Sequence, residues 1–409
     1  MRISMVSQQA SPLAVRGNTQ GLHVAGLAAA LCAQGHEVTV YSRRDDPAQP
    51  ERMRAGAGYE MVCVPAGPEA ELPADKVLAH MADFAGYLTR EWESAPPDVV
   101  HAHFWSSGLA ALLAARGTDL PVVQTFYGLG VVEARYEGSA TGPAERVRLE
   151  RLVGRNAVQV AAGCSDEVFE LARLGLRRPR ISIVPRGVEV DRFTPVGPRA
   201  GRDARQRILG VGCLAPRKGF ATMISALPWV PETELVIAGG PALDGLAADP
   251  EAARLRELAR RHGVADRVHL IGHIAREELP ALYRSADLVV CTPWYEPFGL
   301  VPLEAMACGV PVVATAVGGL IDTVVDGVTG ELVPPRRPDA LAATLRRLLD
   351  EPAQREAYGI AGADRAHSRY SWDRVGTDML RVYEQALGGR VPAPREPGQV
   401  PVGGTPLPS

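Results

Sequence analysis

Residues 291–319, CTPWYEPFGLVPLEAMACGVPVVATAVGG, decide how this chain is read. A strand-like run over 287–292 feeds a loop with small residues, and the loop opens a helix that carries Glu304 and Met306. Phe298, Gly299, Leu300 and Val301 then lie at the amino end of that helix, where unpaired backbone N–H groups and the helix dipole favour an anion. Glycine lets the backbone come close to a ligand there. Glu296 precedes this nest and Glu304 follows it. A carboxylate on each side suits a ligand with hydroxyl groups at both ends and negative charge between them, as in a nucleotide sugar. Read alone, Glu296 is a surface loop carboxylate and Glu304 the exposed side of an amphipathic helix. Their spacing around a glycine-containing loop is what gives them weight together.

Outward from this segment, short β-rich runs alternate with helical patterns in both directions. Ile3–Val6, Glu37–Tyr41, Glu60–Val64, Val99–His103, Val122–Thr125, Val158–Cys164 and Ile181–Pro185 form one series. Ile208–Gly212, Leu235–Gly239, Val268–Ile271, Leu288–Thr292, Val312–Thr315 and Glu331–Val333 form a second. This is the rhythm of parallel, doubly wound α/β sheets. Between the series, past Phe193, TPVGPRAGRDARQR is rich in proline, glycine and charge and reads as a linker. The expected architecture is an acceptor-side Rossmann-like domain over 1–195 and a nucleotide-sugar-binding one over 206–371. Open α/β sheets bind ligands beyond the carboxyl ends of their strands, so the site is expected in the cleft between the two. A last helix over 372–387 is expected to return to the first domain. The tail 388–409, GGRVPAPREPGQVPVGGTPLPS, has little to bury and reads as disordered.

At 409 residues the chain exceeds what one core usually supports. A net charge of -3 with dispersed arginines offers no footprint for nucleic acid. The six cysteines show no paired or zinc-like spacing, which fits a reducing compartment without disulfides. The opening residues lack the apolar run of a signal peptide, and no stretch approaches the ~18 apolar residues of a membrane span. A cytoplasmic protein without integral membrane association is expected, and a homodimer is compatible with the sequence.

With two Rossmann-like halves and EPFGLVPLE in the second, the chain resembles the retaining glycosyltransferases of family 4, which have the GT-B fold. Its likeness is to the sucrose-phosphate-synthase-like and mycothiol-glycosyltransferase-like actinobacterial members. GHEVTVYSRRDDP at 35–47, HAHFWSSGLAAL at 101–112, CSDEVFELARLG at 164–175 and the segment 293–319 carry the resemblance. It implies that Glu296 reaches the donor sugar's hydroxyls, that Glu304 holds the nucleotide ribose, and that Lys218, with Arg217, neutralises the departing diphosphate. Phe298, Gly299 and Leu300 would contact sugar and phosphate. With no Asp-x-Asp and no clustered acids, neither metal nor other cofactor is expected beyond the nucleoside-diphosphate sugar itself.

Three positions depart from the pattern. The glycine-rich loop ahead of Gln-x-x-His reads Asn18, Thr19, Gln20, Gly21, so backbone approach to the diphosphate is altered on that side. Thr-Phe-His becomes Thr125, Phe126, Tyr127, a phenol that donates a hydrogen bond but is no base near neutral pH. An arginine five residues before Lys218 is Cys213. These changes imply a natural-product enzyme with an unusual donor or a thiol or thione acceptor, the alternative being a catalytically silent nucleotide-binding relative. His101 and His103 are read as pointing to opposite faces of a strand, with His103 a candidate for the cleft, while His23 is open in direction. Asp322 reads as a cap of the helix that follows it. Acceptor contacts are expected from the loops 7–21 and 126–142.

Overall fold

The computed structural model describes residues 1–9, 19–202 and 205–388. Asn18 and the tail 389–409 lie outside the described residues, so the expectations placed on them stand as sequence readings.

The first half forms strands β1 (Arg2–Val6), β2 (Glu37–Arg43), β3 (Arg52–Arg54), β4 (Glu60–Val64), β5 (Val99–His103), β6 (Val122–Thr125), β7 (Gln159–Ala162) and β8 (Ile181–Ile183). They make one sheet in the order β3-β4-β2-β1-β5-β6-β7-β8, parallel throughout except for β3 against β4. The second half forms β9 (Gln206–Val211), β10 (Thr233–Ala238), β11 (Val268–Gly272), β12 (Leu288–Cys291), β13 (Val312–Thr315) and β14 (Gly330–Val333), an all-parallel sheet in the order β11-β10-β9-β12-β13-β14. The two sheets build two α/β domains of Rossmann-like layout. Val-rich strands such as β6, β12 and β13 are buried along their whole length, as strands covered by helices on both faces must be. The strand order reverses at β1/β5 in one sheet and at β9/β12 in the other, and such switch points open crevices at the carboxyl ends.

Two elements escape the reading of alternating runs. β3 is a short edge strand of polar sequence, RMR, and residues 126–142 contain the helix Gly130–Glu137 instead of open loop. His101 and His103 also share one face of β5, their ring centroids 4.0 Å apart. Strand side chains alternate, so residues two apart point the same way, and the expectation of opposite faces is corrected.

The chain crosses between the domains twice, and the crossings lie side by side. The Val188 N–H donates to the Tyr370 carbonyl at 2.8 Å, and Val188 and Ser371 form an isolated parallel bridge. The helix Pro352–Tyr370 packs on the helix Leu300–Ala307 of the second domain. After Ser371, the helix Trp372–Ala386 packs on the first domain, against the helix Thr19–Ala33, β6 and β7. Trp372 seats this return: its indole lies where side chains at Gly26 and Gly187 would stand.

Candidate active site

The carboxyl ends of β5, β6, β9 and β12 face one another across a cleft of about 970 Å³, lined by residues of both domains. The volume suits a ligand of nucleotide-sugar size.

Lys218 ends the turn Pro216–Lys218 that follows β9. The turn closes at Gly219, whose φ of 73° and contact with the Thr292 carbonyl leave no room for a side chain. Thr292 Oγ1 donates to the Gly219 carbonyl at 2.9 Å, and the Trp294 N–H to the Arg217 carbonyl at 2.8 Å. These bonds fasten the turn to the loop after β12. From the other side the Gly319 N–H donates to the Glu296 carbonyl at 2.8 Å. Held between them, Lys218 Nζ donates to Glu296 Oε2 at 2.7 Å. Burial alone would raise the Glu296 pKa, but the Lys218 ammonium, with Arg186 and Arg217, holds it below the usual carboxylate range.

Gly299, with φ 68°, caps the helix Leu300–Ala307, whose first turn has no acidic side chain to neutralise its amino end. Phe298, Gly299, Leu300 and Val301 all line the cleft. Glu304 is buried on this helix; its Oε1 accepts from Arg276 at 2.9 Å and its Oε2 from the Tyr283 hydroxyl at 2.8 Å. Burial raises its pKa against the pull of these partners. Arg276 also donates to Glu189 at 2.8 Å, tying Glu304 to the crossing between domains.

On the first domain, Tyr127 follows β6 with φ 64° and Phe104 follows β5 with φ 77°. A left-handed backbone at a tyrosine and a phenylalanine is strained, and both residues line the cleft. The Tyr127 hydroxyl sits 2.7 Å from His103 Nδ1. Burial raises the Tyr127 pKa and pushes that of His103 well down, so the pair is a neutral phenol on a neutral imidazole. His103 stands behind Tyr127 and does not itself line the cleft. Gln20 donates to the His103 carbonyl at 3.4 Å; Thr19 and Gln20 line the cleft, whereas Gly21 is buried in its helix. Cys213 lines the cleft with its thiol exposed.

The structure thus brings Glu296, Lys218, Arg217, Cys213, Tyr127 and the 298–301 turn to one cavity. Several neighbours escaped the sequence reading. Arg186, just past β8, stacks its guanidinium 3.9 Å from the centre of the Phe298 ring and 5.2 Å from that of Tyr127. Its place at the carboxyl end of a parallel strand, before a glycine, was the available signal. Glu167 is buried nearby with its pKa raised by burial to about 7, and Tyr295 stacks on Tyr136 across the cleft at 5.1 Å. Asp322 also corrects its expectation. It does not cap its own helix: its Oδ1 accepts from the Ser165 hydroxyl at 2.8 Å and its Oδ2 from the Ser165 N–H at 2.5 Å. A carboxylate of the second domain therefore sits at the amino end of the helix Ser165–Arg173 in the first. Glu137 and Arg217 add an ion pair between domains at 3.5 Å. Among the described residues, no group of three or more His, Cys, Asp or Glu side chains could hold a metal ion, and no helix is long and apolar enough to cross a membrane.

Residues 18–187 match the family described as glycosyl transferase 4-like domain, and residues 199–365 match glycosyl transferases group 1. The D-inositol 3-phosphate glycosyltransferase of Xylanimonas cellulosilytica is 37% identical over 413 residues, spanning 95% of this chain and 98% of that protein. Glycogen synthase of Mycobacterium tuberculosis is 34% identical over 423 residues, spanning 97% and 98%. Among solved structures, sucrose-phosphate synthase from Thermosynechococcus elongatus superposes with a TM-score of 0.83 at 28% identity, over 95% of this chain and 99% of the other. Anabaena Alr3699/HepE in complex with UDP and glucose shares the fold, with a TM-score of 0.69 at 18% identity over 93% and 98%. Two parallel-sheet domains facing across a cleft, and relatives that match along nearly their whole length, make this chain a family-4 glycosyltransferase of the GT-B fold.

Proposed function

We propose that the chain transfers a sugar from a nucleoside-diphosphate donor to a small-molecule acceptor, with retention at the anomeric carbon and without a metal ion. One observation carries the reading: Lys218 and Glu296 are held 2.7 Å apart beside the amino end of the helix Leu300–Ala307, which no side chain caps. The bond from the anomeric carbon to the diphosphate oxygen breaks as the bond to the acceptor atom forms. The acceptor's proton passes to the departing phosphate. Charge grows on that phosphate, and preorganised ammonium and amide donors lower the barrier most where charge develops. The Lys218 ammonium has three N–H donors, enough to keep Glu296 and reach a phosphate oxygen as well. Glu296 then accepts from the sugar's hydroxyls. Glu304, anchored by Arg276 and Tyr283, receives the ribose. Solved relatives of the same fold hold UDP-glucose or UDP, which supports a diphosphate donor.

The test offers UDP-, GDP- and ADP-sugars with a panel of acceptors, with and without EDTA, and follows nucleotide release and the product's anomeric configuration by NMR. Turnover unaffected by EDTA with a retained anomer is the expected result. Inversion, or activity restored only by magnesium or manganese, overturns the mechanism. Binding of nucleotide without turnover on any acceptor supports the silent alternative. Tyr127 favours a second reading of the acceptor: with a neutral phenol where the resemblance implies a histidine, a thiol or thione that needs little basic assistance is the better nucleophile.

A further inference from the structure

Arg186 is 6% exposed and, among the described residues, forms no direct ion pair; the carboxylates of Glu296 and Glu167 act on it only at longer range. Its Nη1 donates to the Thr19 carbonyl at 3.2 Å and its Nε has no acceptor. A buried guanidinium without a directly paired carboxylate is costly unless a ligand supplies an anion. The guanidinium lies in the cleft wall, flat against Phe298 of the second domain's donor loop at 3.9 Å and over the Tyr127 ring at 5.2 Å. Two further sources of positive potential flank it. The helix Thr19–Ala33 begins at its hydrogen-bond partner, and the helix Leu300–Ala307 begins two residues past Phe298; neither has an acidic side chain in its first turn. Across the same cavity, Cys213 stands where the resemblance places an arginine.

We infer that Arg186 is the second phosphate-binding cation of this enzyme: it reaches the donor's diphosphate from the first domain and takes over the charge lost at position 213. The inference rests on the donor reading above and adds the residue that completes it. It also makes the leaving-group site a product of both domains, with Lys218 on one wall and Arg186 on the other.

The test compares wild type, Arg186→Met and Arg186→Met/Cys213→Arg by titration calorimetry and thermal shift with UDP, GDP, ADP, the free nucleosides, inorganic phosphate and D-inositol 3-phosphate. Arg186→Met is expected to weaken the preferred nucleoside diphosphate at least 10-fold and to leave the nucleoside unchanged. The ligand-free melting temperature should hold or rise, because a buried charge without a direct ion-pair partner has gone. Restoring a guanidinium at position 213 should recover part of the lost affinity. A lowered melting temperature with diphosphate affinity within twofold of wild type makes Arg186 structural and overturns the inference. Loss confined to inositol phosphate assigns Arg186 to the acceptor and overturns it too. If the wild type binds no nucleoside diphosphate, the donor reading fails first and this inference falls with it.

Discussion

Lys218 and Glu296 are the charges on which the proposed chemistry turns, and each is held by backbone bonds that a side-chain change leaves in place. Lys218→Ala and Glu296→Ala should each lower kcat by about 100-fold or more, on the order of 3 kcal/mol, with the melting temperature within a few degrees of wild type. Near-normal turnover in either variant would refute the assigned role. Glu167 makes a different prediction. Its folded pKa is raised by burial from 4.5 to about 7, so the fold keeps a proton that the unfolded chain releases above pH 4.5. The stability this proton contributes is full below pH 4.5 and lost as pH rises toward 7, a loss of order 3 kcal/mol. Glu167→Gln should remove that slope from the melting temperature measured between pH 4.5 and 8; a variant that keeps it shows another group at work. Buried His23, His101 and His103 act with the opposite sign. Burial lowers their pKa values, that of His101 to about 3, so the stability they contribute is present above pH 6.5 and declines as pH falls. Glu296, Lys218 and Tyr127 were legible as residues of the cleft because their motifs are local in sequence. Arg186 and Glu167 were not, because what marks them is burial with a polar atom left unpaired, Arg186 Nε and Glu167 Oε1, a property of the assembled fold.

Strands and helices were read well where pattern and packing agree, as in the valine-rich runs that became β6, β12 and β13. β3 was missed because an exposed edge strand of three residues has no buried face to write into its sequence. The Gly130–Glu137 helix was read as loop because glycines bracket a segment of only eight residues. Short elements of this kind take their form from neighbours: Glu133 binds Arg146 through both oxygens, at 2.7 and 2.8 Å, and so pins this helix to the one that follows it. Asp322 shows the same limit, since no local pattern shows that a carboxylate will cap a helix 157 residues away. Asp322→Ala removes that cap. We expect about 1 kcal/mol of lost stability, as for other helix caps, and a weaker KM for donor with kcat changed less. Small-angle scattering should show a larger radius of gyration for the variant. An unchanged radius and an unchanged KM would deny the contact any part in holding the domains together.

For the molecule as a whole, the two-sheet plan and the cleft between them followed from strand rhythm and the linker, while the final helix is seated by Trp372 together with Val375, Met379, Val382 and Tyr383, buried in the first domain's core. The indole of Trp372 occupies the space that glycine leaves at positions 26 and 187, on two separate segments of the first domain. Gly26→Leu should displace the ring and cost several kcal/mol, read as a lower melting temperature, with activity lost in step because the return helix carries the second crossing. A stable, active Gly26→Leu protein would show that the ring is free to move elsewhere. The two crossings, stitched together where Val188 meets Ser371, give the molecule something no single linker could: a fixed pivot line. Lobes tethered along one seam swing like the covers of a book more readily than they slide or twist past each other. Whatever enters between the pages is met by both covers in the same alignment every time they shut.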